Sequence, residues 1–426
     1  MEQPGTKKKS GNWNLRPIHR TIGAIIFICT LYLAVTGSVM QSVDLRAILS
    51  HAPGTDKEMI QIREGLNGPG NYVVIQPTDY EASPLPANLD LSAALATVLH
   101  GARDAKGRSA PFKFVDVRMA DGRPIGVVRA GDQNLFLDAA TGAVLPNPPR
   151  EAAAKSIHLT FKVLHVLRGT SNWITLLHIA VGSSLFVMTI TGLVLYFQML
   201  RARRRAKLKG FFWFSGGVWR SLHRCIAVLA AVFLLVISVT GTMLALDTLG
   251  LGIYRATHKN AGKFASFPAG AIGDFSSPLP DAKLPAMLQT TLEAGRGTSG
   301  ASPVKAVRLR YFNGIPQGIL IAGNGNDTQQ LVFNAETGKP MNVTEPEYPK
   351  TQYRFGWQEH ELMKKIHRGD AFGVSGRVMD LFAGLSLIYL SISGIVMYVD
   401  LWRRRRRGGR NAWFRKVEKP RPAARV

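Results

Sequence analysis

The chain has 426 residues, is 46% hydrophobic and carries a formal net charge of +25. That length admits two to three domains, and that charge admits a nucleic acid or an acidic membrane as partner. The charge sits in three blocks, 1–24, 199–224 and 403–426, each beside an apolar run, with no folded sequence around it to shape a groove, which excludes nucleic-acid binding.

After a basic tail (1–14), the run 18–40 reads IHRTIGAIIFICTLYLAVTGSVM. It is longer than a signal-peptide core and lacks a small-residue cleavage site, so it reads as transmembrane helix 1 over 15–42. The next segment, 43–155, holds a helical stretch, LSAALATVLHGARDA (91–105), an alternating stretch, PIGVVRA (124–130), and NLFLDAATGAVL (134–145). Polar GDQN between the last two is a hairpin signal, and the whole reads as a small α+β unit. An amphipathic segment (156–170) with His158 and His165 leads into helix 2 (171–199), a basic loop (200–218) and helix 3 (219–247). The second long segment, 248–357, repeats the pattern with LPAMLQTTLEAG, QGILIAG and QLVFNAETGKPM. A segment with His360 and His367 (358–376), helix 4 (377–402) and a basic tail (403–426) complete the chain. The Pro-rich stretches PTDYEASPLP and FSSPLPDAKLP read as linkers.

Each of the four runs has 20 or more residues, mostly apolar, enough for roughly 30 Å of hydrocarbon. Basic loops mark the cytoplasmic side, which puts both termini and the 200–218 loop inside and the two long segments outside. Trp13, Trp173, Trp213, Trp219 and Trp402 suit interfacial belts. Cys29 and Cys225 fall at different depths, so no disulfide is expected between them.

The halves repeat. His19 precedes Thr36-Gly37 by the same interval that separates His223 from Thr240-Gly241, and HLTFKVLH (158–165) matches HELMKKIH (360–367). Equal steps then lead from His165 to His178 and on to Thr191-Gly192, and from His367 to Asp380 and on to Ser393-Gly394. The expected fold is therefore a membrane protein: a four-transmembrane-helix bundle with internal two-fold duplication, plus two α+β domains on the outer side.

The LHR…TG opening, the IH…GR…SG segment with its counterpart LH…NW…TG, and the DAATG and NAETG hairpins resemble the PepSY-associated transmembrane family over roughly 15–402. That family includes bacterial inner-membrane ferric-siderophore reductases. The resemblance implies PepSY-like periplasmic domains, haem b (two of them) held by histidines, and electrons passed outward to a ferric siderophore or other ferric chelate. The donor, cytoplasmic or a quinone, is left open.

Ionisable residues in a bilayer face the bundle interior, where neutral imidazoles suit haem iron. His19 and His223 are candidate axial ligands of one haem, and His165 and His367 of a second. His158 and His360, seven residues earlier on the same helical face, are the alternatives. His178 breaks the symmetry and is an alternative ligand or proton-handling group. Arg20 and Arg224 read as partners of lipid headgroups or of a haem propionate. The Thr/Ser-Gly pairs read as notches that let helices or a flat macrocycle approach. A different function, a membrane-anchored PepSY module binding a periplasmic protein or peptide, leaves the repeated histidines without a role. A metal or proton transporter needs a polar path that the apolar mid-membrane positions lack.

Overall fold

The computed structural model describes residues 15–66, 74–131, 133–146, 156–167, 172–257, 278–299, 302–312, 315–341 and 356–408. The tails expected at 1–14 and beyond 408, with Trp13, lie outside them.

The described residues form two compact units, one of long helices and one built on a sheet. Four helices are long and apolar enough to cross a membrane: α1 (Leu15–Leu49), α5 (Asn172–Arg205), α6 (Val218–Thr257) and α9 (Gly373–Arg407). Each outruns its expected span, because the flanking Leu, Ala and Arg residues are good helix formers. The last turn of α5 is Arg203, Arg204 and Arg205, cations that suit a helix C-terminus. Lys207 and Gly210 follow at positive φ (56° and 96°) and turn the chain away.

In the helical unit these helices close a ring. A Cβ on Gly182 of α5 would lie 2.3 Å from Thr242 Oγ1 of α6, and one on Gly384 of α9 would lie 2.4 Å from Ser38 Oγ of α1. Backbones meet this closely only where the side chain is a hydrogen. Ala230 and Leu234 of α6 pack on Ala383 of α9, and Met188 of α5 reaches Gly23 of α1.

The sheet unit contains α2 (Lys57–Leu66), α3 (Leu91–Lys106), β1 (Phe112–Ala120), β2 (Arg123–Ala130), β3 (Gln133–Asp138), α7 (Leu284–Ser299), β4 (Val304–Phe312), β5 (Ile315–Ala322) and β6 (Gln329–Asn334). The two long segments were expected to form two separate domains. They share one antiparallel six-stranded sheet, ordered β3-β2-β1-β4-β5-β6. The central strands β1 and β4 carry Asp116, Arg118, Arg308 and Arg310, which interrupt the apolar alternation by which a strand is recognised. Their register sets Asp116 opposite Arg308.

The first supposed linker and the described part of the second, from residue 278, are structural. Tyr80 and Leu85 are buried, and Leu85 N–H donates to the Val304 carbonyl of β4 (2.7 Å). Reciprocally, Leu279 is buried and its N–H donates to the Phe112 carbonyl of β1 (2.9 Å). Each half thus ties itself to the central strand of the other, which joins the halves in one sheet. Helices α3 and α7 cover one face with a core including Val98, Val115, Leu284 and Leu309. Val74, Ile75 and Tyr80 close over Phe312, Ile319 and Ile321 on the opposite face. On that buried face Arg118 Nη2 donates to Asp116 (2.7 Å), Arg308 Nη2 donates to Asp116 (2.6 Å), and Arg118 pairs with Asp79 (3.3 Å). Burial opposes ionisation of Asp116, but Arg118 and Arg308 outweigh it and hold the carboxyl below its ordinary range.

Candidate functional site

The last residues of the short helices α4 (Ile157–Val166) and α8 (Gly356–His367) belong to the helical unit, and each contributes one histidine to it. With His19 and His223, four imidazoles then share one arrangement. His19 Nδ1 lies 3.0 Å from Thr191 Oγ1, and His223 Nδ1 lies 2.7 Å from Ser393 Oγ. His165 Nδ1 lies 2.8 Å from Thr36 Oγ1, and His367 Nδ1 lies 3.0 Å from Thr240 Oγ1. Each histidine faces the Thr-Gly or Ser-Gly pair of a different helix.

The hydroxyls decide which nitrogen carries the proton. Thr191 donates its own proton to the Val187 carbonyl (2.8 Å), Thr36 to Tyr32 (2.9 Å), Thr240 to Val236 (2.7 Å) and Ser393 to Leu390 (3.2 Å). A hydroxyl whose proton is spent on its own helix can only accept from the imidazole. Nδ1 is therefore the protonated nitrogen in all four rings, and Nε2 keeps its lone pair. The glycine after each hydroxyl leaves room for the ring: a Cβ would approach His19 Cε1 to 3.3 Å at Gly192 and His367 Cε1 to 3.1 Å at Gly241. The notches expected to seat helices or a macrocycle thus receive imidazoles.

His223 is near enough to His19 for the charge of one to act on the other, and His165 stands in that relation to both His367 and His178. Thr36 lies 17 residues beyond His19 on α1, which separates the two levels by about 25 Å. His165, held outside the spans, is pushed down to about 3 by burial and by repulsion from His367 and His178; burial takes His367 down to about 4. Both stay neutral at physiological pH, as a ligand must.

The remaining candidates have other occupations. In the sheet unit, His158 Nδ1 bonds Asp44 (2.7 Å) at the end of α1, and His360 pairs with Asp247 at the corresponding point of α6. Of each seven-spaced pair, the first histidine therefore meets a carboxylate and the second a hydroxyl. The backbone N–H groups of Ile157 and His158 donate to Glu58 (2.8 and 2.9 Å), an anion placed at the start of α4. Asp380, the counterpart of His178, accepts from Gln41 Nε2, which also donates to the Arg368 carbonyl (2.8 Å). Arg224 donates from Nη2 to the Trp213 and Ser215 carbonyls (3.1 and 2.8 Å), so it staples the 206–217 loop. Trp213, expected in an interfacial belt, is buried between Arg203 and Arg224. Arg20 Nε donates to the Arg16 carbonyl (3.0 Å), with Tyr398 and Arg405 nearby. Both cysteines are free, as expected.

Among the described residues, no cluster of three or more His, Cys, Asp or Glu is arranged to hold a bare metal ion. The donors come instead as imidazoles whose Nδ1 is engaged by a hydroxyl, so each ring keeps Nε2 to offer a ligand. Thr191→Val keeps the shape and removes the acceptor. It should weaken ligand binding at its couple about 10- to 100-fold, read by titration of the purified protein, with Thr191→Ser restoring it.

A model of the PepSY-associated TM region matches residues 66–404. No curated protein matches the chain.

Proposed function

The chain belongs to the PepSY-associated TM family, and on that premise we propose that it is a membrane oxidoreductase that carries b-type haem between histidine couples and passes electrons across the bilayer to a ferric chelate, with ferric siderophores as the substrate class. One observation carries the reading: four imidazoles, each clasped at Nδ1 by a hydroxyl and each with Nε2 left for iron. An interfacial anchor needs neither the tautomer nor its fourfold repetition. The His19/His223 couple would hold one haem and the His165/His367 couple the other. Bound haem supplies one-electron transfer in either direction.

The chain's own groups do the rest. The hydroxyls keep each imidazole oriented and its Nδ1–H engaged, which raises the basicity of Nε2. The apolar ring of α1, α5, α6 and α9 keeps water from the couples. Arg20, one residue beyond His19, would be the cation that meets a propionate. The ferric chelate gains one electron and becomes ferrous, and the weaker hold of the chelator on Fe(II) frees the metal. The repeated series of elements is read as an internal duplication with two PepSY-like segments joined in one sheet. The basic loop and both termini are assigned to the cytoplasmic face of a bacterial inner membrane, by the excess of Lys and Arg there.

The visible spectrum of protein purified from haem-replete cells tests this. Soret and α bands should sharpen with dithionite, and a ferric hydroxamate added to the reduced protein should restore the oxidised spectrum. A colourless protein would overturn the proposal.

A further inference from the structure

The loop joining α5 to α6 is more ordered than a topology signal needs to be. Trp213 stacks on Tyr196 (centroids 5.1 Å apart), with the Arg203 and Arg224 guanidiniums 4.8 and 4.9 Å from its ring. Tyr196 Oη donates to the Phe211 carbonyl (2.5 Å), and Leu208 N–H donates to the Arg203 carbonyl (3.0 Å). These bonds shape a concave pocket of 420 Å³ lined by Arg204, Lys207, Leu208, Lys209, Gly210 and Phe211. Three basic residues and two apolar ones thus line one open concavity. No Asp or Glu occurs anywhere in 199–224. Asp400 of α9, which lies beside Arg220 (3.9 Å), is already paired with Arg404 (3.0 Å). Beside the pocket Phe212, Phe214 and Trp219 are exposed, Phe214 at 75%.

We infer that this pocket binds the phosphate headgroup of an acidic phospholipid. Charge placed only to orient helices can lie on an unfolded loop; here a buried tryptophan holds it around a cavity. A soluble anion would have no use for Leu208 and Phe211, and an acidic protein would have to cover the exposed phenylalanines. A lipid satisfies both, with its phosphate against the cations and its glycerol and first methylenes against the apolar wall. The site is independent of haem and stands or falls without the redox reading.

The full chain, stripped of lipid in neutral detergent, is titrated with short-chain phosphatidylglycerol and with phosphatidylcholine of the same chain length, and bound lipid is counted by native mass spectrometry. Phosphatidylglycerol should bind at least tenfold more tightly. Arg204→Gln, Lys207→Gln and Lys209→Gln should each weaken it about fivefold, with the visible spectrum and the melting curve in neutral detergent unchanged. Equal binding of the two lipids, unaltered binding when all three substitutions are combined in one chain, or equally tight binding of glycerol phosphate alone would each overturn the inference, the last by assigning the pocket to a soluble anion.

Discussion

Alanine at His19 or His223 should remove one of two haems and leave the other, and alanine at His165 or His367 should remove the other one. An iron held by two axial imidazoles loses its site when either is deleted, whereas the second couple lies about 25 Å along the bundle and shares no ligand with the first. Haem counted per chain by its pyridine derivative should fall by half in each single variant. The pair His19→Ala with His367→Ala should be colourless. His178→Ala should keep both haems, since no hydroxyl clasp fixes that ring. His158→Ala should also keep both, because its Nδ1 is held by Asp44 in the sheet unit. Single variants at the four clasped histidines that retain full haem would sink the assignment.

The second large effect concerns stability. Asp116 is fully buried, and both Arg118 and Arg308 depend on it. Asp116→Ala removes the carboxylate bonded to the Arg308 guanidinium in the sheet interior; Arg118 still pairs with Asp79, while Arg308 is left with the face of Phe114, 3.8 Å away, and the unbonded charge of Asp79. Removing one partner of a buried ion pair costs about 3–5 kcal/mol. The thermal midpoint of the sheet unit should drop by about 10 °C, followed by circular dichroism at strand wavelengths. Replacing Asp116, Arg118 and Arg308 together with apolar residues of similar volume should recover most of that loss, since no charge is then left unpaired. A triple variant no more stable than Asp116→Ala would show that the charges hold the register of β1 on β4 as well as their own energy.

Most of the helical unit was readable from the chain itself. Hydrophobic runs, basic flanks and equal spacings are local properties, and they located the four spans, the four histidines and the four Thr/Ser-Gly pairs. The partnership between them was not readable. The repeat draws attention to His19 and Thr36, yet residues that far apart on one helix cannot touch. His19 instead meets Thr191, because α5 runs antiparallel to α1 and returns its Thr-Gly pair to the level where α1 begins. Antiparallel threading of the four spans would have found this, had the Thr-Gly pairs been weighed as hydrogen-bond acceptors as well as small residues. Trp213 likewise resembled an interfacial residue, because the guanidiniums that enclose it come from two different helices.

The sheet was less legible. β2, β3, β5 and β6 announced themselves by alternation, while β1 and β4 were hidden by charges that are neutralised only across strands. The Pro-rich stretches looked like spacers because nothing local marks Leu85 or Leu279 as a donor to a strand of the other half.

Sequence alone therefore determined the membrane class, the number of spans, the residues that recur and the family. Hydropathy, charge and repetition follow from composition along the chain, and no folding is needed to see them. Tertiary structure alone decided which hydroxyl holds which imidazole, hence which nitrogen is left for a ligand, and that two repeated segments make one sheet. Both are contacts between residues far apart in the chain, and a hydrogen bond depends on where two groups meet in space, which spacing within one helix or one strand does not specify.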